Sequence, residues 1–91
     1  MYYVYVLYSE KDNNFYVGYT KDVKKRLKMH QSGKVKSTRN RRPLNLVYYE
    51  ASLNQEDALS REKYLKTSYG KRYIKNRLEN YLGEKNDGEK N

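Results

Sequence analysis

Two short runs of tyrosine and aliphatic residues, Tyr2–Tyr8 and Phe15–Tyr19, stand on either side of the polar stretch Lys11-Asp12-Asn13-Asn14. This pair restricts the fold more than any other feature of the chain. Both runs are built from Tyr, Val, Leu and Phe, side chains that pack well on a pleated surface. The Asp and Asn residues between them tolerate left-handed backbone and bond their own main chain, which is turn chemistry. The pattern predicts a β-hairpin. A two-residue loop at Asp12-Asn13 and a four-residue loop at Lys11–Asn14 give the same parity of pairing. Either places Tyr5 and Tyr16 on one sheet face. The first run lacks clean polar alternation, which predicts burial on both faces and a central place in the sheet.

Downstream, helical spacing takes over. Over Lys21–Gln31 a helix is expected, with Thr20 as N-cap and Gly33 past its end. Val23, Leu27 and His30 recur at i, i+4 and i+7 with Arg26 beside them, while Lys24, Lys25 and Lys28 fall opposite. Read alone, Arg26 and His30 are expected at the rim of that stripe, reaching to water. Ser32–Pro43 is a long, basic connection, expected to be functional or partly mobile. Leu44–Glu50 reads as a third strand, with Pro43 at its start. Asn54–Lys66 is a second helix capped by Asn54, with Ala58, Leu59 and Leu65 marking its apolar face and Glu62 within that arc. A carboxylate there must be paired, protonated or metal-bound. Gly70 is expected to break the chain before a third helix over Lys71–Leu82, with Tyr73, Ile74, Leu78 and Tyr81 inward. Residues 83–91 have no apolar side chain and read as a disordered polar tail. The order ββαβαα over residues 1–82 predicts one α+β domain, a small three-stranded antiparallel sheet flanked by helices.

The 91 residues carry a formal net charge of +9, and the excess is clustered. Residues 21–42 hold ten Lys and Arg against one acid, Asp22; residues 61–78 hold seven against one, Glu62. Clustered positive charge is the footprint of a polyanion partner, and a merely solvated face would mix signs. Lys34, Lys36, Arg39, Arg41 and Arg42, then Lys71 and Arg72, are the candidate nucleic-acid contacts. The chain has no cysteine, which excludes a disulfide framework and a thiolate zinc site. It has no apolar run of membrane-spanning length and no signal-peptide pattern. A cytoplasmic protein without membrane association or an organic cofactor is the expectation.

Five chemically active groups now stand out: Tyr5 and Tyr16 on a sheet face, Arg26 and His30 on a helix face, and Glu62 on another helix. In that order and on that frame the chain resembles the GIY-YIG nuclease superfamily, in particular its small single-domain bacterial members, over residues 1–82. The Gly-Ile-Tyr tripeptide stands here as Tyr3-Val4-Tyr5, and Tyr-Ile-Gly as Tyr16-Val17-Gly18. Arg26 with His30 matches the Arg followed four residues on by His or Tyr. Glu62 matches the metal-binding Glu. The downstream Asn is assigned to Asn76, with Asn80 the alternative. Tyr3 in place of glycine and Val17 in place of isoleucine depart from the motif, and neither removes a catalytic group.

The resemblance implies phosphodiester hydrolysis in DNA with one divalent ion, Mg²⁺ or Mn²⁺, held by Glu62. It implies that Arg26 clamps the non-bridging oxygens. One tyrosine acts as general base, Tyr16 in first place and Tyr5 in second, with His30 orienting or deprotonating the tyrosine–water pair. A separate recognition domain is missing from the chain. Phosphate-dominated, structure-guided and salt-sensitive binding is therefore expected, with a protein partner as one source of specificity. Two other readings stay open at this point: a non-catalytic nucleic-acid-binding module of the same fold, and a basic domain that docks on an acidic protein.

Overall fold

The computed structural model describes residues 1–90, with side chains described through Lys85. Its elements run β1 (Tyr2–Ser9), β2 (Phe15–Thr20), α1 (Val23–Gln31), a 3-10 turn (Arg39–Arg41), β3 (Leu44–Ser52), α2 (Gln55–Leu65), α3 (Ser68–Arg77) and α4 (Glu79–Lys90). The strands form one antiparallel sheet in the order β2-β1-β3. The α+β class is as expected, and the tyrosine-rich first strand is central because both its faces are apolar. Among the described residues, no helix is long and apolar enough to cross a membrane.

The hairpin keeps the expected parity but closes one residue earlier than either predicted loop. Tyr5 lies opposite Gly18, Leu7 opposite Tyr16 and Tyr8 opposite Phe15, and Ser9 N–H donates to the Asn14 carbonyl at 3.0 Å. Ser9 explains the shift. Its hydroxyl accepts from the N–H groups of Lys11 and Asp12, each at 3.2 Å, while Asn13 takes the left-handed conformation with φ 58°. The register moves by a whole pleat, so Tyr5 and Tyr16 still share a face.

Alternation along β1 sorts the core into two layers. Val4, Val6 and Val17 pack on one face against Ala58, Leu65, Ile74 and Leu78 of the later helices. Tyr5, Leu7 and Leu44 pack on the other with Tyr16, Leu46 and Leu27 of α1. Fully burying a side chain such as Leu7, Leu65 or Ile74 stabilises the fold by roughly 1.5–3 kcal/mol. The helices therefore flank the sheet on both sides.

Several helix boundaries differ from expectation for local reasons. Asp22, not Thr20, caps α1: its carboxylate accepts from Lys25 N–H at 3.0 Å, and Thr20 Oγ1 accepts from Asp22 N–H instead. Asn54 caps α2 as predicted, through Glu56 and Asp57 N–H. Leu59, assigned to the apolar face, is exposed. The single helix expected over 71–82 is two, α3 and α4, and Gly70 lies inside α3 rather than before it. Thr67 caps that helix on Gly70 N–H, and a Cβ at Gly70 would overlap the backbone of Tyr64 and Leu65. The glycine thus serves close approach between α2 and α3. Helix α4 carries the backbone through 83–90, where a polar tail was expected. Within it Lys85 is ion-paired with Glu10; Asn91 lies outside the described residues.

The connection 32–43 is folded onto the sheet. Val35 and Thr38 are buried in it, the Ser9 hydroxyl donates to the Arg41 carbonyl at 2.6 Å, and the Arg42–Pro43 peptide is cis.

Candidate active site

The face of the sheet beneath α1 holds a chain of polar groups among apolar ones. Tyr5 projects from the central strand and is 2 % exposed. Its hydroxyl lies 2.7 Å from His30 Nε2 and accepts from Arg26 Nε at 3.4 Å. Arg26 and His30 are one turn apart on α1, so a single helix face delivers both to one oxygen. Far from reaching to water at a rim, His30 is completely buried, because Nδ1 also has a partner. It lies 2.7 Å from Oγ1 of Thr38, itself fully buried. A hydroxyl can donate or accept, so the row Tyr5–His30–Thr38 is satisfied whichever ring nitrogen carries the proton. Tyr16 closes the site on the β2 side. Its ring meets His30 edge-on at 5.2 Å and tilts toward Tyr5 at 6.4 Å, and its hydroxyl accepts from Ser37 Oγ at 3.4 Å. Gly18 makes the room: a Cβ there would overlap the Tyr5 hydroxyl.

The electrostatics follow from burial. Desolvation, reinforced by the neighbouring Arg26 charge, holds His30 down at about 4, so the imidazole is neutral at pH 7. Burial pushes the Tyr5 phenol above the ordinary tyrosine range. The Arg26 hydrogen bond opposes that rise, and the nearby Tyr16 and Glu62 add to it. The free site thus holds a neutral phenol and a neutral imidazole linked by a short hydrogen bond.

Glu62 arrives from the opposite face of the sheet, on α2, yet lies within electrostatic reach of Tyr5. The preceding residue anchors the helix. Arg61 donates to both oxygens of Glu50 on β3, at 2.9 and 3.0 Å, and its guanidinium lies over the Tyr73 ring at 4.7 Å. The Glu62 side chain is 22 % exposed, and its Oε2 is 3.2 Å from Nζ of the more exposed Lys66. Among the described residues no three His, Cys, Asp or Glu side chains gather as a metal cage. One partly exposed carboxylate with a more exposed lysine partner nonetheless suits a hard ion that keeps most of its waters. The residues present therefore fit a single hydrated Mg²⁺ or Mn²⁺.

Tyr5, Tyr16, Arg26 and His30 thus come together, and Glu62 is linked to them only through its electrostatic effect on Tyr5. Asn76 does not join them: it is exposed on α3 and lines a separate hollow with Tyr73, Arg77, Glu79 and Asn80, the alternative residue. The basic candidates divide too. Lys34, Lys36, Arg39 and Lys71 are exposed, and Arg72 is exposed with its guanidinium 6.0 Å from the Tyr69 ring. Arg41 is ion-paired with Asp12 at 2.5 Å, and Arg42 Nε donates to the Arg39 carbonyl at 2.9 Å. Thr38 was missed because it stands in a basic connection with no apolar periodicity to mark it as buried. The signal that could have found it is a buried histidine's need for a second partner.

The chain has relatives of known sequence and fold. The GIY-YIG catalytic domain model matches residues 1–77, and the chain belongs to the GIY-YIG family, a family of nuclease type. Among individual proteins it is similar to a UPF0213 protein of Limosilactobacillus reuteri, 46 % identical over 71 % of this chain and 70 % of that one. A UPF0213 protein of Streptococcus pneumoniae is 40 % identical over 93 % of this chain and 81 % of its own. The solution NMR structure of a UPF0213 protein from Bacillus halodurans superposes with a TM-score of 0.51 at 40 % identity, covering 81 % of this chain and 82 % of the other.

Proposed function

We propose that the protein is a metal-dependent endonuclease that hydrolyses phosphodiester bonds in DNA, guided by structure more than by sequence. The observation that carries the reading is the Tyr5 hydroxyl, buried at the sheet centre and held between a neutral imidazole and a guanidinium. A purely structural tyrosine has no need of a cation and a proton acceptor on one oxygen. Family membership and a net charge of +9 support the nucleic-acid substrate.

In this reading Arg26 binds a non-bridging phosphate oxygen through its free guanidinium nitrogens. The phosphate's charge then offsets that of Arg26, which relieves one of the two causes that hold His30 at low basicity. Tyr5 accepts the proton of the attacking water as its own proton passes to His30 Nε2, and Nδ1–H is steadied by Thr38. Tyr5 therefore replaces Tyr16 as the base, because it is the phenol bonded to the imidazole. Tyr16 orients the water from the β2 side. Glu62 would hold the divalent ion, which would supply Lewis-acid stabilisation at the phosphate and the departing 3′-oxygen. Asn76 has no role in this scheme. Exposed Lys34, Lys36, Arg39, Lys71 and Arg72 position the backbone without reading sequence.

The test is nicking of supercoiled plasmid in Mg²⁺ or Mn²⁺ with an EDTA control, using wild type, Tyr5→Phe and Tyr16→Phe. Metal-dependent nicking that falls at least about 100-fold in Tyr5→Phe, and less in Tyr16→Phe, is expected. Equal activity in wild type and Tyr5→Phe would remove the proposed base. No nicking by wild type on plasmid or on branched DNA at low salt would leave a binding module of the same fold.

A further inference from the structure

A second feature of the same sheet face is not used by the cleavage scheme. Between α1 and β3 lies a hollow of about 450 Å³, within the range of small-ligand sites. Leu27 and Leu46 supply apolar wall, Tyr3 and Tyr49 supply rings, and the exposed Lys21 and Lys24 supply charge. Asp22, also at its wall, is committed to capping α1. The two rings meet edge-to-face with centroids 6.1 Å apart, so Tyr3 braces Tyr49 while leaving it 55 % exposed. An exposed, braced tyrosine in a hollow also lined by lysines is what an unpaired base stacks on.

The position of the hollow gives it meaning. Tyr49 is the direct cross-strand neighbour of Tyr5 in the β1–β3 register, and Tyr3 is two residues from Tyr5 on the same face. The hollow therefore adjoins the reaction centre on the β3 side, opposite Tyr16 and Gly18. Tyr3 is also the residue that departs from the Gly-Ile-Tyr motif. A glycine there would leave Tyr49 without its brace.

The geometry points to a subsite in which Tyr49, backed by Tyr3, stacks an unpaired nucleobase next to the scissile phosphate, with Lys21 and Lys24 on the flanking phosphates. The inference rests on the nuclease reading and refines it. The substrate carries at least one unstacked nucleotide at the cut, as in a single strand, a flap or a gap. A base inside an intact duplex has both its faces covered and cannot enter.

Binding without cleavage separates this from the nuclease reading itself. Fluorescence anisotropy in EDTA would compare a labelled single strand, the matching blunt duplex and a single strand with abasic positions. Tyr49→Ala is expected to weaken the single strand about ten-fold and leave the duplex unchanged. Tyr49→Phe should restore the affinity, and the abasic strand should bind wild type and Tyr49→Ala alike. Wild-type binding with no loss in Tyr49→Ala, or an equal loss for strand and duplex, would overturn the subsite and leave the nuclease reading standing. Failure of wild type to bind any of the three would remove both.

Discussion

At the scale of single residues, His30 carries the largest commitment. A group with no solvent exposure, two hydrogen-bond partners and an arginine beside it folds in its neutral form. Its folded-state value of about 4 lies below the ordinary 6.5. Between those values the unfolded chain binds more protons, so stability rises with pH across that window and is lost as pH falls through it. The loss attributable to His30 is about 3 kcal/mol once pH drops below both values. Denaturant unfolding at pH 7 and pH 4 should show it, and His30→Gln should flatten that part of the profile. An equally steep profile in the variant would place the acid sensitivity elsewhere. The sequence disclosed that Tyr5 and Tyr16 share a sheet face and Arg26 and His30 a helix face, since the Arg-x-x-x-His spacing and the parity of two tyrosine-rich runs are local facts. It did not disclose how deeply they lie. Burial of His30 depends on Thr38 folding back from a basic loop, a tertiary contact with no periodic signature. The choice between Tyr5 and Tyr16 turned on the same missing fact, namely which phenol the imidazole reaches.

At the scale of elements, the fold was legible wherever side-chain periodicity decides and illegible wherever backbone contacts do. Strand order followed from the doubly apolar first strand. The turn of the hairpin shifted because one serine hydroxyl gathers two N–H groups, and the third helix begins earlier than expected because Thr67 caps it, ending at a cap on Leu78. Gly70 is the sharpest case. As a sequence signal it reads as a breaker, yet in the fold it lets α2 and α3 touch. Gly70→Ala should therefore destabilise the protein by about 1–3 kcal/mol, although alanine is ordinarily the better helix former. Thermal or denaturant melts decide it, and an unchanged or raised stability would contradict the close packing of the two helices. Arg61 belongs to this scale as well. By pairing with Glu50 and lying over Tyr73 it holds α2 against β3 and α3.

At the scale of the whole molecule, the sheet divides labour between its faces. One face carries the core that joins β1 and β2 to the later helices, and the other carries Tyr5, Tyr16, Arg26 and His30. The positive charge surrounds both, and much of it is free to meet phosphate, whereas Arg41 and Arg42 are occupied in holding the connection 32–43. Glu62, on a helix of one face, adds to burial in raising the pKa of Tyr5 on the other, and the proposed metal site depends on it. The most direct measurement is plasmid nicking and DNA affinity taken side by side for wild type and Glu62→Ala in Mg²⁺ or Mn²⁺. Wild type is expected to nick in a metal-dependent way, the variant to lose at least about 100-fold of that activity, and DNA affinity in EDTA to be retained or slightly raised as a negative charge is removed. Nicking at equal rates by both proteins, with or without metal, would contradict that expectation.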